Sequence, residues 1–155
     1  MNKINNIVLS VSMDELSIKN FSELKNSHNL GLADNIHFIH IYNEKLIHNL
    51  PSSLDCSDFG NVESYVVEKL HDLAKDLIPN HINEKGDRHS LCIFNSSEKI
   101  EILNYLERVC ADLVIVSSRN EHVLEGLSPN SFSYWLIEHA PCNVLVLRPK
   151  KMKLS

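Results

Sequence analysis

The residues best placed to do chemistry lie in the last third of the chain. There the apolar run ADLVIVSS (111–118) leads through a Ser117-x2-Asn120-x9-Asn130-Ser131 frame into a helical stretch that carries Ser133. Hydroxyls at Ser131 and Ser133 beside a helix start suit an anion, because the first-turn backbone N–H groups lack intrahelical partners and mark the positive end of the helix dipole. Ser131 is equally suited to be an N-cap, its oxygen accepting from a first-turn N–H. Glu121 and Glu125 lie in the same loop and work against a phosphate. At an effective dielectric of ~20, a like charge about 6 Å away costs roughly 3 kcal/mol before screening by salt, part of which Arg119 and His122 offset.

Other chemistries find no frame. The chain has no G-x-S-x-G elbow, no G-x-x-x-x-G-K-[ST] loop, no G-x-G-x-x-G fingerprint and only four glycines. Nine histidines are present, but none stands in H-E-x-x-H or paired Cys/His spacing. His37 and His40, three apart in a strand, fall on opposite faces, so the histidines read as surface or capping groups and no metal is expected. Cys56, Cys92, Cys110 and Cys142 form no C-x-x-C pair. All four are expected to be buried thiols of a reducing compartment, and Cys92 and Cys110, which sit in apolar patterns, to be inert. No catalytic residue is identified, and an enzyme is not expected.

The elements that must position these residues are legible from periodicity. Five β-branched apolar runs have strand length: Lys3–Val11, Asn35–Tyr42, His89–Phe94, Asp112–Ser117 and Asn143–Leu147. Helical spacing links them. It is clearest in Val62, Tyr65, Val66, Leu70, Leu73, Ala74 and Leu77, and is also read in Ile100, Leu103, Leu106, Glu107, Val109 and Cys110, from Asp14 to about His28, and from Ser131 to His139. Pro79 ends one helix and Pro141 separates another from the last strand. The segment Asn43–Gly60 is expected to be a long loop. Strand and helix alternate and the strands are continuously apolar, which predicts an α/β fold: one doubly wound domain over 1–150 with a parallel five-stranded sheet, helices on both faces, and a short basic tail, 151–155. Right-handed crossovers leave strand orders 3-2-1-4-5 and 2-1-3-4-5 open.

At 155 residues the chain has room for one substantial core. Its formal charge is −5 with scattered basic residues, which argues against a nucleic-acid partner. No segment approaches the length of a membrane span and the N-terminal apolar run is too short for a signal core, so a cytoplasmic location is expected.

RVCADLVIVSSRN and SFSYWLIEHAPCNVLVLR resemble the closing segments of the universal stress protein family, and the resemblance extends more weakly over nearly the whole chain. It implies a Rossmann-like fold with strand order 3-2-1-4-5. It also implies, in the nucleotide-binding branch, a Gly-x2-Gly-x9-Gly-(Ser/Thr) loop around the phosphates of ATP. The positions matching that site are Ser12, where the family has an Asp closing strand one, Ile41 beside the adenosine, and Ser117, Asn120, Asn130, Ser131 and Ser133. All three glycines are replaced here. Asn tolerates positive φ but fills the space that glycine leaves open. The resemblance therefore points to a stress-response protein that has lost ATP binding, with no cofactor. The alternative is a member that binds ATP or ADP with Mg²⁺ in a modified pocket. It further implies a homodimer, formed through the strand-five edge at 143–148, that contacts an unknown protein partner; an edge strand with apolar side chains is itself suited to such pairing.

Overall fold

The computed structural model describes residues 5–26, 33–42, 50–78, 90–94, 97–118 and 131–148, with 90–94 described by their backbone. Five strands, β1 (Asn6–Ser10), β2 (Asn35–Tyr42), β3 (Ser90–Phe94), β4 (Leu113–Ser117) and β5 (Asn143–Leu147), form one sheet in the order β3-β2-β1-β4-β5. All four pairings are parallel. The α/β architecture and the 3-2-1-4-5 order expected from the resemblance are both present. Strands β2 and β5 begin and end where the apolar runs do, and β4 begins one residue later, at Leu113, because Asp112 does a different job. Its Oδ2 accepts from the N–H groups of Asn5 and Asn6, both at 2.9 Å, tying the amino ends of β4 and β1 together.

Among the described residues, four helices cover the sheet: α1 (Glu15–Ser22), α2 (Phe59–Leu77), α3 (Glu98–Arg108) and α4 (Phe132–His139). Side chains alternate along each strand, so the core divides into two layers. Ile7, Leu9, Val11 and Phe38 pack with Phe21 of α1 and with Val62, Val66, Leu70, Leu73 and Leu77 of α2. On the other face Val8, Ile39, Ile41, Val114 and Val116 pack with Ile102 and Leu106 of α3 and Leu136 of α4. Each fully buried aliphatic side chain of these layers contributes about 1.5–3 kcal/mol. The 62–77 stripe is the buried face of α2. Helix α1 is shorter than expected: it ends at Ser22, with Asp14 as its N-cap, and a 3-10 turn (Glu23–Asn26) continues it.

Two readings of the third helix are corrected. Its buried residues are Glu98, Ile102, Tyr105 and Leu106, whereas Ile100 is 58% exposed. The apolar stripe is one step out of phase with the one read from the sequence because the helix starts at Glu98. Of the four cysteines expected to be buried, Cys56 and Cys142 are only half-buried, and Cys110 is exposed. It lies past the end of α3 at φ 52°, with its N–H bonded to Glu107 O at 3.2 Å and the Ala111 N–H bonded to Leu106 O at 3.0 Å. This is the Schellman closure of a helix, whose left-handed position points its side chain to solvent and usually holds glycine. The side chain of Cys92 lies outside the described residues. Of the expected 43–60 loop, 50–58 is described: Leu50 is buried, Leu54 and Cys56 pack on the first core layer, and Phe59 and Gly60 already belong to α2.

Candidate functional site

After β1 the chain crosses to β2 and β3 on one side, and β4 and β5 fill the other. The strand order therefore reverses between β1 and β4, and the crevice of such a sheet opens beyond their carboxyl ends. There the ladder registers Ser10 opposite Val116, so Ser12 and Ser118 lie just past its last rung. The Val11 N–H still reaches Ile39 O of β2 at 2.8 Å, while the Ser118 N–H reaches Leu147 O of β5 at 2.8 Å. Each lip is thus tied outward, to its own neighbour. His40 adds to this from β2: its Nδ1 is 2.7 Å from Val11 O, which makes that nitrogen the protonated donor.

The expected site residues separate between the two faces. Ile41 is buried in the layer under α3 and α4. Ser133, one turn before the buried Leu136 on α4, is itself buried and faces the same layer. Ser117 turns the other way. Its Oγ accepts a hydrogen bond from Asn20 Nδ2 of α1 at 3.0 Å, and both groups are buried. Ser12 is buried at the end of β1. Ser131 is the N-cap of α4, its Oγ accepting from the Tyr134 N–H at 3.1 Å. Asn120 and Asn130, with Arg119, Glu121, His122 and Glu125, lie outside the described residues. Four of the five described candidates are more than nine-tenths buried: Ser12 at 7%, Ile41 and Ser117 at 4% and Ser133 at 3% exposure.

Three contributors to this region escape a motif search: Asn20, His40 and Ser118. A trace of Asn20 is present in the sequence. Ser17, Asn20, Phe21 and Leu24 recur at i, i+3, i+4 and i+7, so two polar residues occupy the inward stripe of α1. That weakens the apolar periodicity of this helix. Ser17 Oγ is buried without a hydrogen-bond partner.

Other titratable groups serve the scaffold. His37 stands between Tyr105 Oη, 2.9 Å from its Nδ1, and Asn6 Oδ1, 3.3 Å from its Nε2. Burial pushes the Tyr105 hydroxyl above its ordinary range, partly opposed by the Arg108 charge, so it remains a hydrogen-bond donor. The Cys142 thiol is also pushed up, first by burial and then by the Asp112 charge, against a backbone hydrogen bond to Val114. A thiol held neutral in this way is a poor nucleophile. Among the described residues, no group of three or more His, Cys, Asp or Glu side chains is placed to hold a metal ion. No helix among them is long and apolar enough to cross a membrane.

A parallel 3-2-1-4-5 sheet covered on both faces, with its crevice between β1 and β4, defines a Rossmann-like α/β protein. Solved structures narrow the fold further. The chain superposes on hypothetical protein MJ0577 with a TM-score of 0.66 at 16% identity, over 97% of this chain and 100% of that one. It is similar to the universal stress protein UspA from Lactobacillus plantarum, with a TM-score of 0.62 at 18% identity, over 96% and 100% of the two chains. It is also similar to a universal stress protein solved in complex with cAMP, with a TM-score of 0.60 at 12% identity, over 96% and 100%. No protein-family model and no curated protein matches the sequence. The chain has the fold of the universal stress proteins.

Proposed function

We propose that this protein is a universal stress protein that acts without catalysis, as a homodimer whose output is a contact with another protein, and that its crevice no longer binds ATP. The observation that carries this reading is the state of the site residues. Ser117, in place of the first loop glycine, is buried and its hydroxyl is engaged by Asn20; the Ser131 hydroxyl is engaged in capping α4; Ser12, in place of the acidic residue expected after strand one, brings no carboxylate. A nucleotide would have to break these bonds and displace packed side chains. Desolvated hydroxyls left without partners cost about 1–3 kcal/mol each. The replaced glycines at Asn120 and Asn130 and the carboxylates of Glu121 and Glu125 act in the same direction.

A second reading is a member that responds to ATP or ADP with Mg²⁺ in a modified pocket. It is favoured by the hydroxyl-bearing start of α4, where Ser131 and Ser133 stand beside first-turn N–H groups, and by the fold's likeness to a protein solved with cAMP. Thermal melting with ATP, ADP and cAMP in turn separates the two. Loss of binding predicts no shift for the natural sequence and a gain of affinity in the Asn120→Gly/Asn130→Gly double variant. Retained binding predicts a ligand-dependent shift that Ser131→Ala diminishes, and that result would overturn the first reading.

A further inference from the structure

Strand β2 carries a buried histidine with both ring nitrogens engaged. His37 is 8% exposed and lies on the same side of the sheet as Ile39 and Ile41, under α3. Its Nε2 is 3.3 Å from Asn6 Oδ1 of β1. An amide oxygen only accepts, so this nitrogen carries the proton. The bare Nδ1 then accepts from Tyr105 Oη of α3 at 2.9 Å. The two rings meet edge to face, 5.8 Å between centres at 79°. Tyr105 is buried too, and the Arg108 guanidinium stands 5.2 Å from its ring centre. The last turns of α3 are therefore tied to the sheet by a hydrogen bond that needs a neutral imidazole.

A second proton on His37 makes Nδ1 a donor as well. The Tyr105 O–H then has to swing away from it inside the core, where its proton loses this acceptor. The new charge is itself buried, and it lies one ring away from the Arg108 cation. Asn6, facing from β1, is neutral. The nearest carboxylate of β4, Asp112, already accepts from the Asn5 and Asn6 N–H groups. On α3, Glu101 and Glu98 lie one and two turns before Tyr105. His89, which precedes β3, lies outside the described residues. Lifting Tyr105 off the sheet opens His37 to water, where it takes up the proton without these penalties.

We propose that His37 and Tyr105 form an acid-released latch, in which protonation of His37 frees the C-terminal half of α3 from β2. The closed state binds fewer protons than the open one. Closure is therefore complete above the ordinary histidine range, ~6.5, and is lost as pH falls below it, about ten-fold for each further unit. Ile102 and Leu106 are buried beside Tyr105, so release presents apolar surface only in acid. The latch is independent of the readings of the crevice and of the dimer.

Hydrogen exchange of the full chain at pH 7.5 and pH 5.5, corrected for intrinsic exchange rates, tests it in four proteins: the natural sequence, His37→Gln, Arg108→Gln and His139→Gln. Gln at position 37 keeps a donor for Asn6 and takes up no proton in this range. His139 is the control, an exposed imidazole stacked 4.7 Å from Trp135, whose ring also meets Lys99 of α3. The expected result is that protection of α3 in the natural sequence falls about ten-fold at pH 5.5 while that of α2 is unchanged. His37→Gln abolishes the fall, Arg108→Gln narrows it by removing the neighbouring cation, and His139→Gln leaves it intact. The latch is overturned if the natural sequence shows no fall, if the fall persists in a folded His37→Gln protein, or if His139→Gln abolishes it. An equal fall in α2 makes the event global unfolding and overturns it as well. Should circular dichroism show His37→Gln unfolded, the exposed Arg108→Gln substitution decides, and an unchanged fall there overturns the latch.

Discussion

Cys110 shows how one residue can be misread and what it then predicts. A thiol inside the run RVCADL counts as apolar in any periodicity, yet the backbone at this position is left-handed, where a Cβ is strained and glycine is not. Cys110→Gly is therefore expected to stabilise the protein by about 0.5–1 kcal/mol in urea denaturation, less whatever glycine adds to the entropy of the unfolded chain. Ser17 makes an opposite point. Its hydroxyl is buried and unpartnered, so Ser17→Ala should leave stability unchanged or raise it by about 1 kcal/mol, whereas most core truncations lower it. Asn20 and Ser117 form a third case, because each satisfies the other. Asn20→Ala should cost about 1–3 kcal/mol by leaving Ser117 Oγ buried without this donor. A double-mutant cycle with Ser117→Ala should recover a coupling of about 1 kcal/mol, and strict additivity would contradict the bond.

At the scale of elements, the fourth helix tests what Ser131 is for. As an N-cap, Ser131→Ala should lower stability by about 1 kcal/mol and Ser131→Asp should restore it, with or without nucleotide present. A loss that appears only in the presence of a nucleotide would assign the hydroxyl to a ligand instead. Most of the architecture was legible before any coordinates. The described side chains of β1, β2 and β4 are mostly buried on both faces and so read as unbroken apolar runs, and β2 and β5 match residue for residue. The α2 stripe was equally plain, since nineteen helical residues repeat the pattern often enough to fix its phase. The phase of α3 was not, because eleven residues starting at Glu98 admit a rival stripe through Ile100 and Leu103. The candidate site was legible only as a set of positions. Spacing identifies Ser117 as the residue that leaves β4, but which face its side chain takes depends on Asn20, almost a hundred residues earlier in the chain. Nor does any spacing show that His40 would hold the Val11 carbonyl across the mouth of β1.

Over the whole molecule, the sheet places its order reversal where such folds bind ligands, and the described side chains there are turned inward, buried or engaged with one another. The acidic balance of the chain, −5, gives a polyanion no general attraction to offset this. The large exposed hydrophobic side chains of the described residues, Phe59, Val67, Ile100 and Ile137, are spread over three helices. The central claim is that the crevice has ceased to hold ATP. Isothermal titration of the purified, nucleotide-free protein with ATP and with ADP, both with Mg²⁺ at physiological salt, tests it directly. The account predicts no heat of binding; a dissociation constant tighter than about 100 μM, roughly −5.5 kcal/mol, would contradict it and make this protein a nucleotide sensor.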